Sequence, residues 1–232
     1  MEQRLFIENN YIDFHTHFYS EVDEVTAIVS LHLDESISAK YYTVGIHPWY
    51  ANSWDNQQEE TLRNKLSHEN CLALGEVGLD RLKGVSLEFQ KEVLIQQLKI
   101  ANELNKAVVI HCVKAFDELL QIHKQFPEIT KWCIHGFNKN IQLAKQLMDR
   151  DFYLSLSPAN FKGKEDLLKQ LPRNKIFLET DDKKDISIEN IYLHAASVLE
   201  ISVDALKQQI SNNAEIFFGY GQLAGTDGIV NR

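Results

Sequence analysis

Histidines and acidic residues at the ends of short apolar runs are the residues of this sequence whose types and spacing could do chemistry. The six that stand at such ends are His15, His17, Glu76, His111, His135 and Asp181. Imidazole nitrogens and carboxylate oxygens, with no thiolate among them, suit catalytic zinc, manganese or magnesium better than a structural zinc cage. Brought to one point, these six side chains would form a site for divalent metal, with enough donors for two ions.

The spacing of the donors supports a shared site. His15 and His17 lie two residues apart in an extended segment, so that both rings point the same way and can grip one ion. A carboxylate such as Glu76 could bridge two cations, which together would polarise a phosphoryl oxygen and lower the pKa of a shared water. Any one of these residues alone could instead be a buried polar residue whose hydrogen bonds are satisfied within the fold. Because ligand types recur at five strand ends, the set favours metal binding.

The elements that must position these residues are eight short apolar runs, separated in the later part of the chain by amphipathic stretches. Strands are predicted at residues 11–15, 27–32, 41–46, 71–76, 107–112, 131–135, 152–156 and 175–180, and helices at 55–68, 86–104, 115–126, 141–150, 164–171, 187–200 and 202–218. Strand–helix alternation predicts a parallel sheet. Eight strands predict its closure into an α/β fold, the (β/α)8 or TIM barrel, where all carboxyl strand ends open onto one face.

The predicted barrel is distorted and carries additions. Its first two connections between strands are too short for crossover helices, and the last two helices follow the final strand and would pack on the outside. We therefore predict a single domain over residues 1–218 with extra C-terminal helices, followed by a polar tail at 219–232.

Length and composition exclude several classes of protein. A chain of 232 residues can bury a sizeable core. No apolar run approaches the ~20 residues that span a bilayer, so no membrane partner is expected. The three cysteines lie in strand-like runs and the first residues lack the pattern of a signal peptide, so we expect reduced thiols in a cytoplasmic protein. The net charge of −9 argues against a broad nucleic-acid-coating surface but allows a local basic patch. No obligate protein partner is inferred.

The motifs occur together in an order that resembles one known family. They are His-x-His at 15–17, Gly-Ile-His-Pro at 45–48, Gly-Glu-Val-Gly-Leu-Asp at 75–80, Val-Ile-His at 109–111, His-Gly-Phe at 135–137, Glu-Thr-Asp at 179–181 and the Asn and Phe of 213–217. This set resembles the TatD family of metal-dependent hydrolases, which are amidohydrolase-like TIM barrels.

The resemblance implies a metal-dependent deoxyribonuclease or a related phosphodiesterase with two ions. It assigns His15, His17, Glu76 and Asp181 to the first ion, and it assigns Glu76, His111 and His135 to the second. Glu76 and Asp181 are then the catalytic carboxylates, and Asp181 would also orient or deprotonate the attacking water.

The sequence departs from the family pattern at two positions. The arginine usually found two residues after the strand-five histidine is replaced by Val113, with Lys114 next, and a proline near the Glu-Thr-Asp motif is replaced by Lys183. The first change removes an expected phosphate ligand, because lysine lacks the fork geometry of a guanidinium.

Four further loop residues are candidates for substrate binding: His47, Arg81, Lys114 and Phe137. His47 precedes a proline and could contact either a metal ligand or the substrate. Arg81 and Lys114 belong to a group of loop cations that could attract an anion, and the Phe137 ring could stack on a base.

These observations predict an enzyme that hydrolyses phosphodiester bonds of DNA with two divalent ions, zinc, manganese or magnesium. Two alternatives remain open at this stage. The same metal cradle could hydrolyse another ester or an amide, because one fold supports many substrates. The chain could also be an inactive metal-binding interaction protein.

Overall fold

Eight parallel strands form one sheet in the computed structural model, which describes residues 6, 9–37, 39–52, 54–157 and 165–219. The strands follow each other around the sheet in chain order: β1 (Tyr11–Thr16), β2 (Val25–His32), β3 (Tyr41–Gly45), β4 (Cys71–Asp80), β5 (Ala107–Val113), β6 (Trp132–Ile134), β7 (Phe152–Leu156) and β8 (Ile176–Leu178). Within the described ranges the helices are α1 (Asn56–Leu66), α2 (Leu87–Glu103), α3 (Phe116–His123), α4 (Ile141–Met148), α5 (Glu165–Gln170), α6 (Ile188–Leu199) and α7 (Val203–Phe218).

The sheet closes into a barrel at the ends of β1 and β8. The backbone N–H of Asp181 donates to the carbonyl oxygen of His15 at 3.0 Å, and that of His17 donates to the carbonyl oxygen of Asp181 at 3.2 Å. The strands are apolar on both sides because side chains fill the barrel and helices cover it; every residue of β4 is buried. The predicted TIM barrel is confirmed.

The predicted distortion of the barrel is confirmed as well. No helix lies between β1 and β2, nor between β2 and β3, among the residues described there. After β3 the chain makes a 3₁₀ turn, Pro48–Tyr50, before α1 begins with a capping box between Asp55 and Gln58. The early strand ends are therefore less covered by helices than the later ones.

Two irregular stretches of strand carry candidate ligands. The register of β1 against β2 shifts between Asp13 and Thr16, and the register of β4 against β5 shifts between Leu74 and Val77. His15 and Glu76 lie inside these stretches. Bulges bend a strand locally and re-aim its side chains, which explains how two ligands on different strands can turn toward one point.

The C-terminal helices complete the barrel. The hydroxyl of Tyr192 on α6 accepts from the backbone N–H of Ile12 and donates to its carbonyl oxygen, at 3.2 and 3.1 Å. The Asn213 amide on α7 donates to the carbonyl oxygen of Ile176 at 2.9 Å. Phe14 and Phe177 stack at 3.9 Å against Phe217 of α7. The extra helices thus belong to the same core as the barrel.

Three remaining expectations concern the chain as a whole. Cys71, Cys112 and Cys133 are buried and unbridged. No described helix has the length and apolar character needed to cross a membrane. Of the predicted tail at 219–232, only Gly219, which ends α7, lies within the described residues.

Candidate metal centre

A single buried carboxylate, Glu76, lies at the centre of the candidate site. Its Oε2 atom lies 3.3 Å from His15 Nε2 and 3.6 Å from His17 Nε2. The same two histidine nitrogens lie 3.8 and 3.7 Å from Oδ1 of Asp181. These four residues form one group of donors at the joined ends of β1 and β8, and this is the set that the sequence predicts for the first ion.

The other oxygen of Glu76 faces a second group. Its Oε1 atom lies 2.6 Å from His135 Nε2, 2.8 Å from His111 Nδ1 and 3.1 Å from His47 Nε2. One carboxylate therefore separates two sets of histidines and uses one oxygen toward each. Within the described residues, the six predicted ligands come together at the open face of the barrel.

The hydrogen bonds of His47 distinguish it from the other histidines on Oε1. Its Nδ1 accepts from the backbone N–H of Trp49 at 3.2 Å, and burial lowers the pKa of His47 below its usual value. A neutral ring that accepts at Nδ1 carries its proton on Nε2. His47 thus donates a hydrogen bond to Glu76 Oε1, which puts it in contact with a predicted metal ligand, and His47, Glu76 and His111 also offer donor atoms within 4.8 Å of one another.

His111 is oriented by β4, the neighbouring strand. Its Nε2 lies 3.2 Å from Asp80 Oδ2, which also accepts from Trp49 Nε1 at 2.6 Å. A proton held between Nε2 and Asp80 leaves the Nδ1 lone pair directed at the site, as in many carboxylate–histidine–metal arrangements. Gly78, with φ +150°, allows β4 to approach this closely, because a Cβ there would lie 1.9 Å from the His111 carbonyl oxygen.

Glu179 approaches His135 at Nδ1, the ring nitrogen that does not face Glu76. The sequence reasoning did not assign this role. The Oε1 atom of Glu179 lies 3.7 Å from His135 Nδ1 and accepts from the backbone N–H of Gly136 at 2.6 Å. The Glu179 side chain is fully buried. Its place two residues before Asp181 in the Glu-Thr-Asp motif was the available signal.

The protonation of the cluster follows from mutual attraction. Burial acts to raise the pKa of Glu76, but the histidines around it, His135 foremost, hold that pKa well below its usual value. Burial acts in the opposite sense on His135, and the Glu76 charge carries its pKa well above the usual value. The hydrogen bond to Glu76 likewise raises the pKa of His17. The buried anion is thus compensated by cationic neighbours, which is the electrostatic role that bound cations would take over.

The donor set fits divalent metal. Both ring nitrogens of His15 are buried and make no hydrogen bond, a costly condition that a metal ion at Nε2 would relieve for that atom. His15, His17 and Glu76 offer atoms within 4.8 Å of one another, and so do His15, His135 and Asp181. Nitrogen and oxygen donors without thiolate suit zinc or manganese at a catalytic site.

The other predicted substrate-binding residues, Phe137, Arg81 and Lys114, have different surroundings in the structure. Phe137 is a correction: its side chain is only 1% exposed and packs in the core, so its ring cannot stack on a substrate. Arg81 bonds to the carboxylate of Glu118 and, at 2.8 Å, to the carbonyl oxygen of Lys114. Its charge is therefore already partnered. Lys114 is exposed and keeps φ at +51°.

A small cavity adjoins the second group of ligands. It has a volume of about 150 Å³, and its lining includes His111, His135, Asp181, Val113 and Lys139. Val113 occupies the position where the family pattern has arginine, and Lys139 is the one lysine or arginine among the described lining residues. Lys139, half-buried after β6, was not a predicted site residue, and Lys114 does not line this cavity.

Comparisons with known proteins agree with this geometry. A model of the family described as TatD related DNase matches residues 15–219. The uncharacterized metal-dependent hydrolase YabD of Bacillus subtilis is 28% identical over 165 residues, which cover 68% of this chain and 65% of that protein. The 3'-5' RNA nuclease TATDN2 of Homo sapiens is 32% identical over 146 residues, which cover 59% of this chain and 19% of that protein. This chain therefore spans less than two thirds of the length of either relative.

A solved structure has the same fold. The crystal structure of YJJV, a TatD homologue from Escherichia coli K12, matches with a TM-score of 0.76 at 21% identity. The match covers 90% of this chain and 98% of that one.

Proposed function

This chain belongs to the TatD-related DNase family of metal-dependent hydrolases, and we propose that it hydrolyses phosphodiester bonds of DNA with two divalent ions. The observation that carries the proposal is the division of one carboxylate between two donor sets, with Glu76 Oε2 facing His15 and His17 and Oε1 facing His111 and His135. When bound, two cations supply Lewis-acid activation of a phosphoryl oxygen and of water.

The residues around the ions have separate tasks in the proposed reaction. Glu76 would contribute one oxygen to each ion, and the hydrogen bond from His47 Nε2 fixes the orientation of its carboxylate. Asp181 has a side chain that is 30% exposed whereas that of Glu76 is 5% exposed, so Asp181 is the carboxylate that water can reach from the open face. In our proposal the Asp181 carboxylate, which would also hold a metal ion, accepts the proton of the attacking water.

The phosphate needs a cation in place of the absent arginine. The half-buried Lys139 lines the cavity that contains His111, His135 and Asp181, so we assign phosphate binding to Lys139. Lys114, which follows Val113 in sequence, is a second candidate and lies exposed on the rim. A lysine binds phosphate as a point charge without the two parallel hydrogen bonds of arginine, so we expect weaker discrimination between substrates.

A substrate panel with added metal tests the proposal. We expect purified protein to cleave single-stranded DNA with Mn²⁺ or Zn²⁺ and to lose this activity in EDTA. RNA and p-nitrophenyl carboxylesters of matched concentration serve as the alternatives. Cleavage of RNA alone would reassign the substrate within phosphodiesters, and cleavage of the carboxylester alone would contradict phosphodiester hydrolysis. Metal binding without turnover on any substrate would favour the inactive interaction protein.

A further inference from the structure

A second and larger cavity lies beside the metal centre, between the ends of β2 and β3 and the start of α1. It has a volume of about 630 Å³. His47 lines it, and the same ring lies 3.1 Å from Glu76 Oε1. The cavity therefore adjoins the metal centre through one shared residue without containing any of the six metal ligands.

An exposed aromatic ring stands at this cavity in a fixed position. Tyr50 is 57% exposed, and its ring meets that of His32 edge-on with centroids 5.0 Å apart. The Tyr50 backbone N–H donates to the carbonyl oxygen of His47 at 2.9 Å. The backbone that carries the ring is thus anchored to His47, and the two ring centroids are 6.0 Å apart. An aromatic face on a rigid backbone is the feature on which proteins stack unpaired bases.

The charge of the cavity distinguishes it from the one that contains Lys139. Its charged lining residues are the acids Asp34 and Asp55, and no lysine or arginine is among the described residues that line it. Carboxylates repel a phosphate but accept hydrogen bonds from the exocyclic amino groups of bases. The larger cavity therefore suits the uncharged, hydrogen-bonding part of a nucleotide, and the smaller one suits its phosphate.

Hydrogen bonds within the protein join the walls of the larger cavity without any ligand. Lys65 of α1 donates from Nζ to the carbonyl oxygens of Leu33, at 2.8 Å, and of Glu35, on the loop after β2. Asp55 and Gln58 lock the start of α1 through their reciprocal capping bonds. A preformed cavity costs little ordering entropy when a ligand binds.

We infer that this cavity is a subsite for one unpaired nucleobase of the substrate, which stacks on Tyr50 and donates to Asp34. The inference rests on the proposed function, since it concerns the same nucleic acid. It adds that the enzyme reads a base next to the bond that it cleaves, and that its substrate is single-stranded at that base, because a paired base is not free to enter.

Equilibrium binding tests the base subsite without requiring that the protein cleave DNA. Metal-loaded Asp181→Asn protein is titrated with fluorescent single-stranded oligo(dC), and with an oligomer of equal length in which every base is replaced by an abasic tetrahydrofuran. We expect the dissociation constant of oligo(dC) to be lower by about tenfold, the scale of stacking one base on an aromatic ring.

Variants of Tyr50 test whether its ring causes the difference in dissociation constant between the two oligomers. Each variant is made in the same Asp181→Asn protein. Tyr50→Ala should raise the dissociation constant of oligo(dC) to that of the abasic oligomer and leave the abasic value unchanged, and Tyr50→Phe should retain most of the base preference. Tyr19→Ala is the matched control, because Tyr19 is 53% exposed at the same barrel end and lies outside this cavity. Asp34→Asn should reduce a preference for oligo(dC), which carries an amino donor, over oligo(dT).

The outcomes are distinct. Equal binding of oligo(dC) and the abasic oligomer, or an undiminished preference in Tyr50→Ala, overturns the base subsite even if the wild-type protein cleaves DNA. A base preference that disappears only with Tyr50→Ala supports the subsite even if the wild-type protein cleaves none of the panel substrates, in which case the proposed function fails by itself.

Discussion

The backbone N–H of Asp181 donates to the carbonyl oxygen of His15 at 3.0 Å, and this hydrogen bond joins the last strand end of the barrel to the first. The same two residues approach through their side chains, with His15 Nε2 and Asp181 Oδ1 3.8 Å apart. Barrel closure therefore brings together His15 and Asp181, two of the residues predicted to hold the first ion. A change that opened the seam between β1 and β8 would separate ligands that are far apart in the sequence.

The two donor sets should lose metal independently. We expect His17→Ala to remove the ion on the Oε2 side of Glu76 and His111→Ala to remove the ion on the Oε1 side, because each set loses one of its own nitrogen donors. Metal analysis of dialysed protein should give two ions for the wild type and one for each variant. His68→Ala, an exposed histidine after α1, is the control. Loss of both ions in both variants would mean that the sets are not independent.

Asp181 should be needed for the chemical step more than for metal binding. Asp181→Asn keeps the size and one acceptor oxygen but removes the basicity, so kcat should fall by roughly 10²-fold or more. Folding should survive, because the side chain lies at the open end of the barrel. The measurements are kcat, the thermal midpoint and bound metal on one preparation.

The neighbouring Asp182 is the matched control for this variant, because it is exposed and pairs with Lys183. Asp182→Asn should leave kcat within about twofold of the wild type, as expected for a surface pair of small energetic value. Near-normal turnover of Asp181→Asn with full metal content would remove Asp181 from proton transfer.

Loss of the cation that binds the phosphate should raise KM. We expect Lys139→Ala to raise KM for a phosphodiester more than it lowers kcat, because it removes an interaction made equally in the ground and transition states. Lys139→Arg should restore or lower KM, since a guanidinium can bond phosphate bidentately. Lys114→Ala, at the exposed rim position, is the comparison. A KM that rises only in Lys114→Ala would assign the phosphate to Lys114 instead.

Glu179 should act through His135. Glu179→Gln keeps an acceptor for the Gly136 N–H but removes the charge 3.7 Å from His135 Nδ1. We expect metal affinity to fall by about 10–100-fold, the scale for residues that orient a metal ligand. Titration with Zn²⁺ in a competing chelator measures this affinity, and saturating metal should restore most of the activity. Unchanged affinity would limit Glu179 to a structural role.

The acid side of the stability curve should depend in part on His123, which lies far from the metal centre. Burial lowers the pKa of His123 below its usual value, and its ring packs on Phe152 at 4.7 Å and Trp132 at 5.1 Å. The unfolded chain therefore binds the proton more tightly. The corresponding stability is fully present above the unfolded pKa, about 6.5, and is lost as the pH falls toward the folded value.

Replacement of this ring by one that does not titrate isolates the effect. In EDTA, His123→Phe should show a smaller rise in unfolding free energy between pH 5 and pH 7 than the wild type, measured by urea denaturation at each pH. His68→Phe controls for the substitution of an exposed histidine. Identical pH slopes for His123→Phe and the wild type would contradict the prediction.

The sequence by itself determined the barrel and the ligand types. Short runs made mostly of apolar residues, such as 71–76 and 152–156, are what strands buried on both faces require, and this pattern is visible without coordinates. The convergence of His15, His111 and Asp181 followed from the rule that all carboxyl strand ends share one face. That rule depends on chain order and topology alone, which is why it could be applied to a sequence.

Only the tertiary structure decided which contacts and which role each side chain has. The sequence could not show that Glu76 turns a different oxygen to each histidine set, because that depends on irregular strand register. Nor could it show that Phe137 is buried and that Lys139, rather than Lys114, lines the cavity beside the ligands. The periodicity of a strand indicates which residues reach the rim. Whether a rim side chain faces solvent, core or substrate depends on how loops from distant parts of the chain pack, and that is a property of the assembled barrel.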